Sequence, residues 1–262
     1  MTRVALVRLA AFVLVIAGSF GTAYGLGRRL PGNPESKPHT HGPVKPSLIP
    51  PGFAVDGYTL IAESNQPSAS LHAFRITGPD GQRVTTYTPT QGAQLHVVVS
   101  HPDLSGFEHL TPDVAADGTF IVPIDNPGKW HIVIDAQPAG RSSPIVLATN
   151  VDDEVSVGDV KLPTESDKAT IDDLTIVRHG LSFTVTSGDG SPAAGLEPYL
   201  GQPAQLFVLH KDDLVYTHPA PVDAPPATFD FDGSVAQGTY RMFLQFGYRG
   251  EVRTVAFTVV QP

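Results

Sequence analysis

The chain repeats itself, and this internal repeat constrains its fold more than any other feature of the sequence. The offset between matching positions stays between about 109 and 111 over roughly 60 residues, which predicts two copies of one structural unit. The matches are Phe74 with Phe183, Thr77 with Thr186, Asp80-Gly81 with Asp189-Gly190, Ala93–Leu104 with Ala204–Leu214, His109 with His218, Phe120 with Phe229, and Gly128-Lys129-Trp130 with Gly238-Thr239-Tyr240.

Short β-type segments separated by turn residues fill both copies. Segments such as "WHIVIDA" and "TYRMFLQFGY" are rich in β-branched and aromatic residues, and 25 glycines and 25 prolines punctuate the chain. No long segment after the N-terminal region keeps a helical period of 3.6 residues. We therefore predict an all-β protein with two tandem immunoglobulin-like β-sandwich domains, residues 53–160 and 161–262.

The N-terminal segment indicates export. Leu9–Leu26 is an uncharged run of eighteen residues, long enough to span a bilayer, so residues 1–30 are predicted to be a single transmembrane helix that anchors the chain. A cleaved signal peptide is the alternative, because Ala23 and Gly25 offer a small-x-small cleavage site. Residues 31–52 contain seven prolines and are predicted to be an extended tether. The expected location is the cell membrane, single-pass, with the β domains extracytoplasmic.

Composition excludes several classes of function. A net charge of -9 and a pI near 5.5 argue against a nucleic-acid partner. The chain has no cysteine, so disulfides, thiolate catalysis and cysteine-ligated zinc are excluded, and its two methionines exclude a Met-rich copper chaperone. Sequence motifs of hydrolases, P-loop enzymes, dinucleotide-binding enzymes and zinc proteases are absent. We predict that the protein is not an enzyme.

Histidines are the remaining candidates for chemistry. The repeat alignment places His96 opposite Phe207 and His210 opposite Val99, which favours packing roles at those positions. His109 and His218 occupy matching positions, where a metal ligand and an imidazole that holds a turn are both compatible with the sequence. His39 and His41 form a His-x-His pair in the tether.

The repeats resemble a family of actinobacterial membrane-anchored secreted proteins, some of which are labelled as heavy-metal-binding. The resemblance rests on "HVVVSHPDLSGFEHLTPDVAADGTF" and "LEPYLGQPAQLFVLHKDDLVYTHPAPVD". In that family each repeat carries a His-x-His-Pro element, and a histidine opens the preceding strand of the first repeat. Here the elements read "HLTP" and "HPAP": His109 and His218 are kept, Thr111 and Ala220 stand at the second positions, and the opening histidine is His96.

These observations predict a membrane-tethered extracytoplasmic binding protein with a weak transition-metal site. The predicted metal ligands are His96, His109 and His218, and the predicted cofactor is a copper or zinc ion. A metal site requires the imidazoles of His96 and His109 to lie within roughly 5 Å of each other. The alternative is a cell-envelope scaffold that contacts another envelope protein and has no metal role.

Overall fold

The computed structural model describes residues 53–63, 68, 70–125, 128–152 and 161–262. Every regular element in these residues is a β-strand, which confirms the all-β prediction. No helix within these ranges is long and apolar enough to cross a membrane. The predicted anchor (1–30) and tether (31–52), which includes His39 and His41, lie outside the described residues.

The first copy of the repeat forms two antiparallel sheets. Its strands are β1 (Ala54–Val55), β2 (Tyr58–Ala62), β3 (Leu71–Thr77), β4 (Leu95–Ser100), β5 (Glu108–Leu110), β6 (Phe120–Pro123), β7 (Lys129–Ala136) and β8 (Ile145–Asp152). One sheet has the order β1-β2-β3-β6 and the other the order β5-β4-β7-β8.

The second copy also forms two sheets. Its strands are β9 (Lys168–Ile171), β10 (Leu174–His179), β11 (Ser182–Ser187), β12 (Leu196–Glu197), β13 (Gln205–His210), β14 (Tyr216–Thr217), β15 (Pro221–Val222), β16 (Thr228–Phe231), β17 (Gly238–Tyr248) and β18 (Glu251–Gln261). One sheet has the order β15-β16-β11-β10-β9; the other has the order β12-β17-β13-β14, with β18 paired to β17.

Each pair of sheets encloses its own apolar core. In the first copy Phe74 packs in one cluster with Val97 and Ile132 of the opposite sheet. In the second copy Phe183 packs in the same way with Leu206. Two sheets that face each other across such a core are a β-sandwich.

A third apolar cluster joins the two sandwiches. All six residues of β4 are buried, because alternate side chains serve different cores: Val97 faces the core of its own sandwich and Val98 faces the other sandwich. Fully burying one large apolar side chain stabilises a protein by about 1.5–3 kcal/mol, so this cluster holds both copies in one unit, Leu48–Pro262. Its buried members are Val98, Leu104, Val133, Ala148, Phe207, Leu209, Tyr216 and Phe243.

The strand registers correct the sequence alignment of one strand. Val99 pairs with Glu108 in the first copy, and Val208 pairs with Thr217 in the second. Both members of the pair therefore differ by 109 positions between the two copies. With this offset His96 corresponds to Gln205 and not to Phe207.

The turn that follows the strand supports the corrected alignment. In each copy a backbone hydrogen bond spans the turn after this strand. The N–H of His101 donates to the carbonyl oxygen of Ser105, and the N–H of His210 donates to that of Val215. His101 also packs on Trp130 as His210 packs on Tyr240. His210 therefore corresponds to His101 and not to Val99.

Candidate functional site

His96 is a polar residue inside a strand that is covered on both faces. Its exposed fraction is 0%, so both ring nitrogens need partners within the protein. Nε2 donates to the carbonyl oxygen of Thr90 at 2.8 Å, and Nδ1 lies 3.0 Å from Nε2 of His109. The structure thus brings two of the predicted ligands into direct contact.

His109 reaches the same place from β5, where it lies opposite Val98 in the sheet register. Its Nδ1 is 2.9 Å from Oε1 of Gln245 in the second sandwich and 3.4 Å from the hydroxyl of Tyr199. Burial, together with the nearby His96, lowers the pKa of His109 to about 3. Burial, and then the charge of His218, also lowers the pKa of His96. Both rings are therefore neutral at physiological pH.

The rings of His96 and His109 meet edge to edge. Their planes differ by 11° and their centroids are 5.2 Å apart, while the facing nitrogens are 3.0 Å apart. The centroid separation exceeds the nitrogen separation by about two ring radii, so the rings lie nearly in one plane and are not stacked face to face. The lone-pair directions of the two facing nitrogens therefore lie nearly along one line.

His218, the third predicted ligand, lies against this pair but turns its nitrogens elsewhere. Its ring is 4.6 Å from that of His96 in an edge contact. Nδ1 lies 3.2 Å from Oδ2 of Asp135 in the first sandwich, and Nε2 lies 2.7 Å from Oε1 of Gln205. We refer to His96, His109 and His218 as the histidine cluster.

The contacts around the cluster are reciprocal between the two copies. His96 pairs with Asp135 across strands in the first copy, and Gln205 pairs with Gln245 in the second. His109 contacts His96 of its own copy and Gln245 of the other, and His218 contacts Gln205 of its own copy and Asp135 of the other. Such an arrangement is that of an isologous two-fold interface, here within one chain.

We name the two halves of this network by their members. The first arm is His109, His96 and Gln245; the second arm is His218, Gln205 and Asp135.

The first arm has too few protons to place one in each of its hydrogen bonds. Thr90 offers a carbonyl oxygen, which only accepts, so Nε2 of His96 carries the proton of that ring. Nδ1 of His109 faces Oε1 of Gln245, which also only accepts. If both outer nitrogens hold their ring's single proton, the two inner nitrogens face each other as lone pairs.

Without an ion, one tautomer resolves this conflict. Nε2 of His109 then carries the proton and donates to His96. Its Nδ1 accepts from Tyr199, or from Gln245 once that amide turns its N–H inward; the Thr254 hydroxyl beside the amide suits either orientation.

The second arm has enough protons if His218 is an imidazolium. The N–H of the Gln205 amide donates to the backbone carbonyl of Gln91 at 3.0 Å, which fixes the amide oxygen towards His218. Both nitrogens of His218 therefore face oxygen acceptors, one of them a carboxylate. An imidazolium at His218 would form a buried ion pair with Asp135, because its Nδ1 lies 3.2 Å from Oδ2 of that carboxylate.

The described residues around the cluster do not offer the ligand set of a tetrahedral metal site. Within the described ranges no group of three or more His, Asp or Glu side chains is placed to hold a metal ion. A tetrahedral zinc site requires four ligands, of which three or four come from the protein, and the two nitrogens of His218 are turned away. Of the three rings in the histidine cluster, only those of His96 and His109 present facing nitrogens, and the other nitrogen of each lies against an oxygen atom. That outer bonding is the usual support of metal-bound histidines.

Several members of the network were missed by the sequence analysis. Asp135, Gln245 and Tyr199 were not candidates, because each contacts a histidine of the other copy. Gln205 was not a candidate either, because Gln91 of the other copy fixes its orientation. One feature of the sequence could have revealed the buried polar positions His96 and Gln205. "LHVVVS" and "QLFVL" are nearly continuous apolar runs, which is typical of strands buried on both faces. A single polar residue within such a run requires a buried hydrogen-bond partner.

The second copy matches a known protein family. The family described as "Domain of unknown function (DUF8832)" matches residues 169–261. No curated protein matches the chain.

Three solved structures are similar to the chain at low identity. A segment of two fibronectin type III domains from chicken tenascin is 12% identical, covers 77% of this chain and 98% of its own, and has a TM-score of 0.25. The BSP domain of a biofilm-associated protein is 16% identical, covers 78% of this chain and 30% of its own, and has a TM-score of 0.22. A DUF3823 family protein from Bacteroides uniformis is 14% identical, covers 71% and 96%, and has a TM-score of 0.18.

Proposed function

We propose that this chain is a membrane-tethered extracytoplasmic binding protein, without enzymatic activity, that binds a transition-metal ion between its two sandwiches. Copper is the first candidate. The β domains, residues 53–160 and 161–262, are proposed to be immunoglobulin-like, and residues 1–52 supply the anchor and the tether.

One observation carries the metal-binding part of this proposal. The inner nitrogens of His96 and His109 face each other at 3.0 Å, and both outer nitrogens face oxygen acceptors. A neutral imidazole is a good ligand for copper and zinc. The low pKa of His109 also means that its ring holds a single proton at neutral pH, so an ion need not displace a second one.

Calorimetric titration of the full-length chain with copper and zinc ions tests this proposal. We expect one ion per chain at the histidine cluster, with binding abolished by the combined changes His96→Ala, His109→Ala and His218→Ala. His179→Gln is the matched control, because this histidine is exposed and lies on β10, in a sheet that carries no member of the cluster. The proposal fails if no binding is tighter than about 100 μM, or if binding survives the triple substitution.

A scaffold role is the second candidate, and the third apolar cluster favours it. This cluster and the His218–Asp135 ion pair join the sandwiches with no need for an ion. In that case the module holds a contact surface for another envelope protein at a fixed geometry. Metal-independent capture of a single envelope protein by the wild type and by the triple variant alike would favour the scaffold.

A further inference from the structure

We propose that the cluster selects a monovalent, two-coordinate ion, copper(I) in place of copper(II) or zinc(II), held between Nδ1 of His96 and Nε2 of His109. This inference rests on the proposed function and names the class of ion. It also removes His218 from the ligand set and gives it a supporting role.

The alignment of the rings is the first argument. The two facing nitrogens point at each other along one line within nearly coplanar rings. Monovalent copper and silver ions have filled d shells and readily accept two opposed nitrogen ligands. Zinc(II) favours four tetrahedral ligands, and copper(II) favours four in a tetragonal plane. Metal–nitrogen bonds of about 2 Å require the facing nitrogens to move apart from 3.0 Å to about 4 Å to admit an ion on the line between them.

The second argument is that the described residues around the pair supply no further ligand. Phe207 covers His109 with its ring at 4.4 Å and covers His218 at 4.6 Å. Both nitrogens of His218 are engaged by Asp135 and Gln205. The hydroxyl of Tyr199 lies on the outer side of His109, 3.4 Å from Nδ1, and so does not face the line between the two inner nitrogens.

Charge is the third argument. Both nitrogens of His218 face oxygen atoms of Asp135 and Gln205, and its ring contacts that of His96. Asp135 is the only acid of the two arms, and its Oδ1 is buried with no hydrogen-bond partner among the described residues. A buried network with a single carboxylate balances an added charge of one better than an added charge of two.

Binding changes a tautomer in this arrangement. The metal-free pair holds the proton on Nε2 of His109, where it bridges to His96. In the ion-bound form that proton lies on Nδ1 and donates to Oε1 of Gln245, and both inner nitrogens donate lone pairs to the ion. The cluster keeps the same number of protons. His109 is only partly buried, so the ion can enter from its side.

An anaerobic titration of the full-length chain tests the selectivity. Copper(I) is delivered in competition with a chromophoric chelator, and silver(I), copper(II) and zinc(II) are titrated in parallel. We expect one copper(I) or silver(I) per chain, two nitrogen ligands by X-ray absorption, and divalent ions bound at least about 100-fold more weakly. His96→Gln should remove copper(I) binding, and His179→Gln should not.

Each other outcome is decisive. Tighter binding of copper(II) or zinc(II), removed by His96→Gln, overturns this inference and leaves the proposed function standing. Absence of binding by every ion overturns both. Binding that is lost on His39→Gln and His41→Gln places the ion in the tether and also overturns both. X-ray absorption on the wild type counts the nitrogen ligands without a variant, so the inference can still be tested if the His96→Gln protein folds poorly.

Discussion

The two arms of the network occupy equivalent positions in the two copies, yet they have different chemistry. In the first arm His109 meets His96 and the neutral amide of Gln245. In the second arm His218 meets the amide of Gln205 and the carboxylate of Asp135. The second arm has Gln205 where the first has His96, and Asp135 where the first has Gln245. These two differences replace a pair of facing lone pairs by a buried ion pair. The difference shows that the strands set only the positions of the side chains. The hydrogen-bond partners of each histidine determine how many protons its ring carries.

The largest expected effect comes from removing the charged partner of the second arm. Asp135→Ala leaves the His218 imidazolium buried without its counterion, and breaking a buried pair in this way costs about 3–5 kcal/mol. The matched change in the first arm, Gln245→Ala, removes a neutral partner and should cost about 1–3 kcal/mol. Urea denaturation measures both free energies of unfolding. Equal losses would contradict the assignment of the ion pair to the second arm alone.

A single substitution should make the second arm resemble the first. Gln205→His places an imidazole opposite Nε2 of His218, as His96 stands opposite His109. We expect the copper(I) stoichiometry to rise from one to two per chain, measured by chelator competition. A stoichiometry that stays at one, in a variant with unchanged thermal stability, would mean that the pairing of rings is not sufficient for binding.

Acid should destabilise the fold through its neutral buried histidines. Burial lowers the pKa of His109 to about 3 and also lowers those of His96 and His131. The unfolded chain takes up these protons below about pH 6.5 and the folded chain does not, so stability is full above that pH and falls as the pH is lowered. Each such histidine contributes up to about 1.4 kcal/mol per pH unit.

Denaturation midpoints between neutral pH and pH 5 measure this slope. His109→Gln should reduce it by the share of one histidine, whereas His179→Gln, at an exposed position, should leave it unchanged. A slope that His109→Gln does not alter would show that this ring is not held neutral by the fold.

The smallest effect concerns the outer support of the first arm. The amide of Gln245 bonds the hydroxyl of Thr254, its cross-strand neighbour, at 2.9 Å. The neighbour of Asp135 in the second arm is Val146, which offers no such bond. Thr254→Val should therefore cost only about 0.5–1.5 kcal/mol and weaken copper(I) binding by about 10-fold. An unchanged affinity would mean that the orientation of Gln245 does not depend on Thr254.

Much of the fold follows from the sequence, and one part does not for a specific reason. Short alternating runs and turn dipeptides gave the all-β class, and the repeat gave the correspondence of His109 with His218. The alignment of His96 with Phe207 was wrong by two residues. Side chains alternate with a period of two in a strand, so a shift of two keeps every residue on the same face and leaves the apolar pattern intact.

The candidate site could be predicted only in part. His96, His109 and His218 were selected from the sequence, and the structure places them in contact. Their partners Gln245 and Asp135 come from the opposite copy, and no local pattern encodes a contact between two separately folded sheets. The directions of the ring nitrogens depend on those partners, so the division into two unlike arms could not be read from the sequence.

The most direct test is the nitrogen-15 NMR spectrum of the histidine rings in the full-length chain at neutral pH, before and after one equivalent of silver(I). The predicted result is silver–nitrogen coupling at Nδ1 of His96 and Nε2 of His109, with both nitrogens of His218 protonated throughout. Coupling at His218, or a spectrum that silver(I) does not change, would contradict a two-coordinate site between His96 and His109.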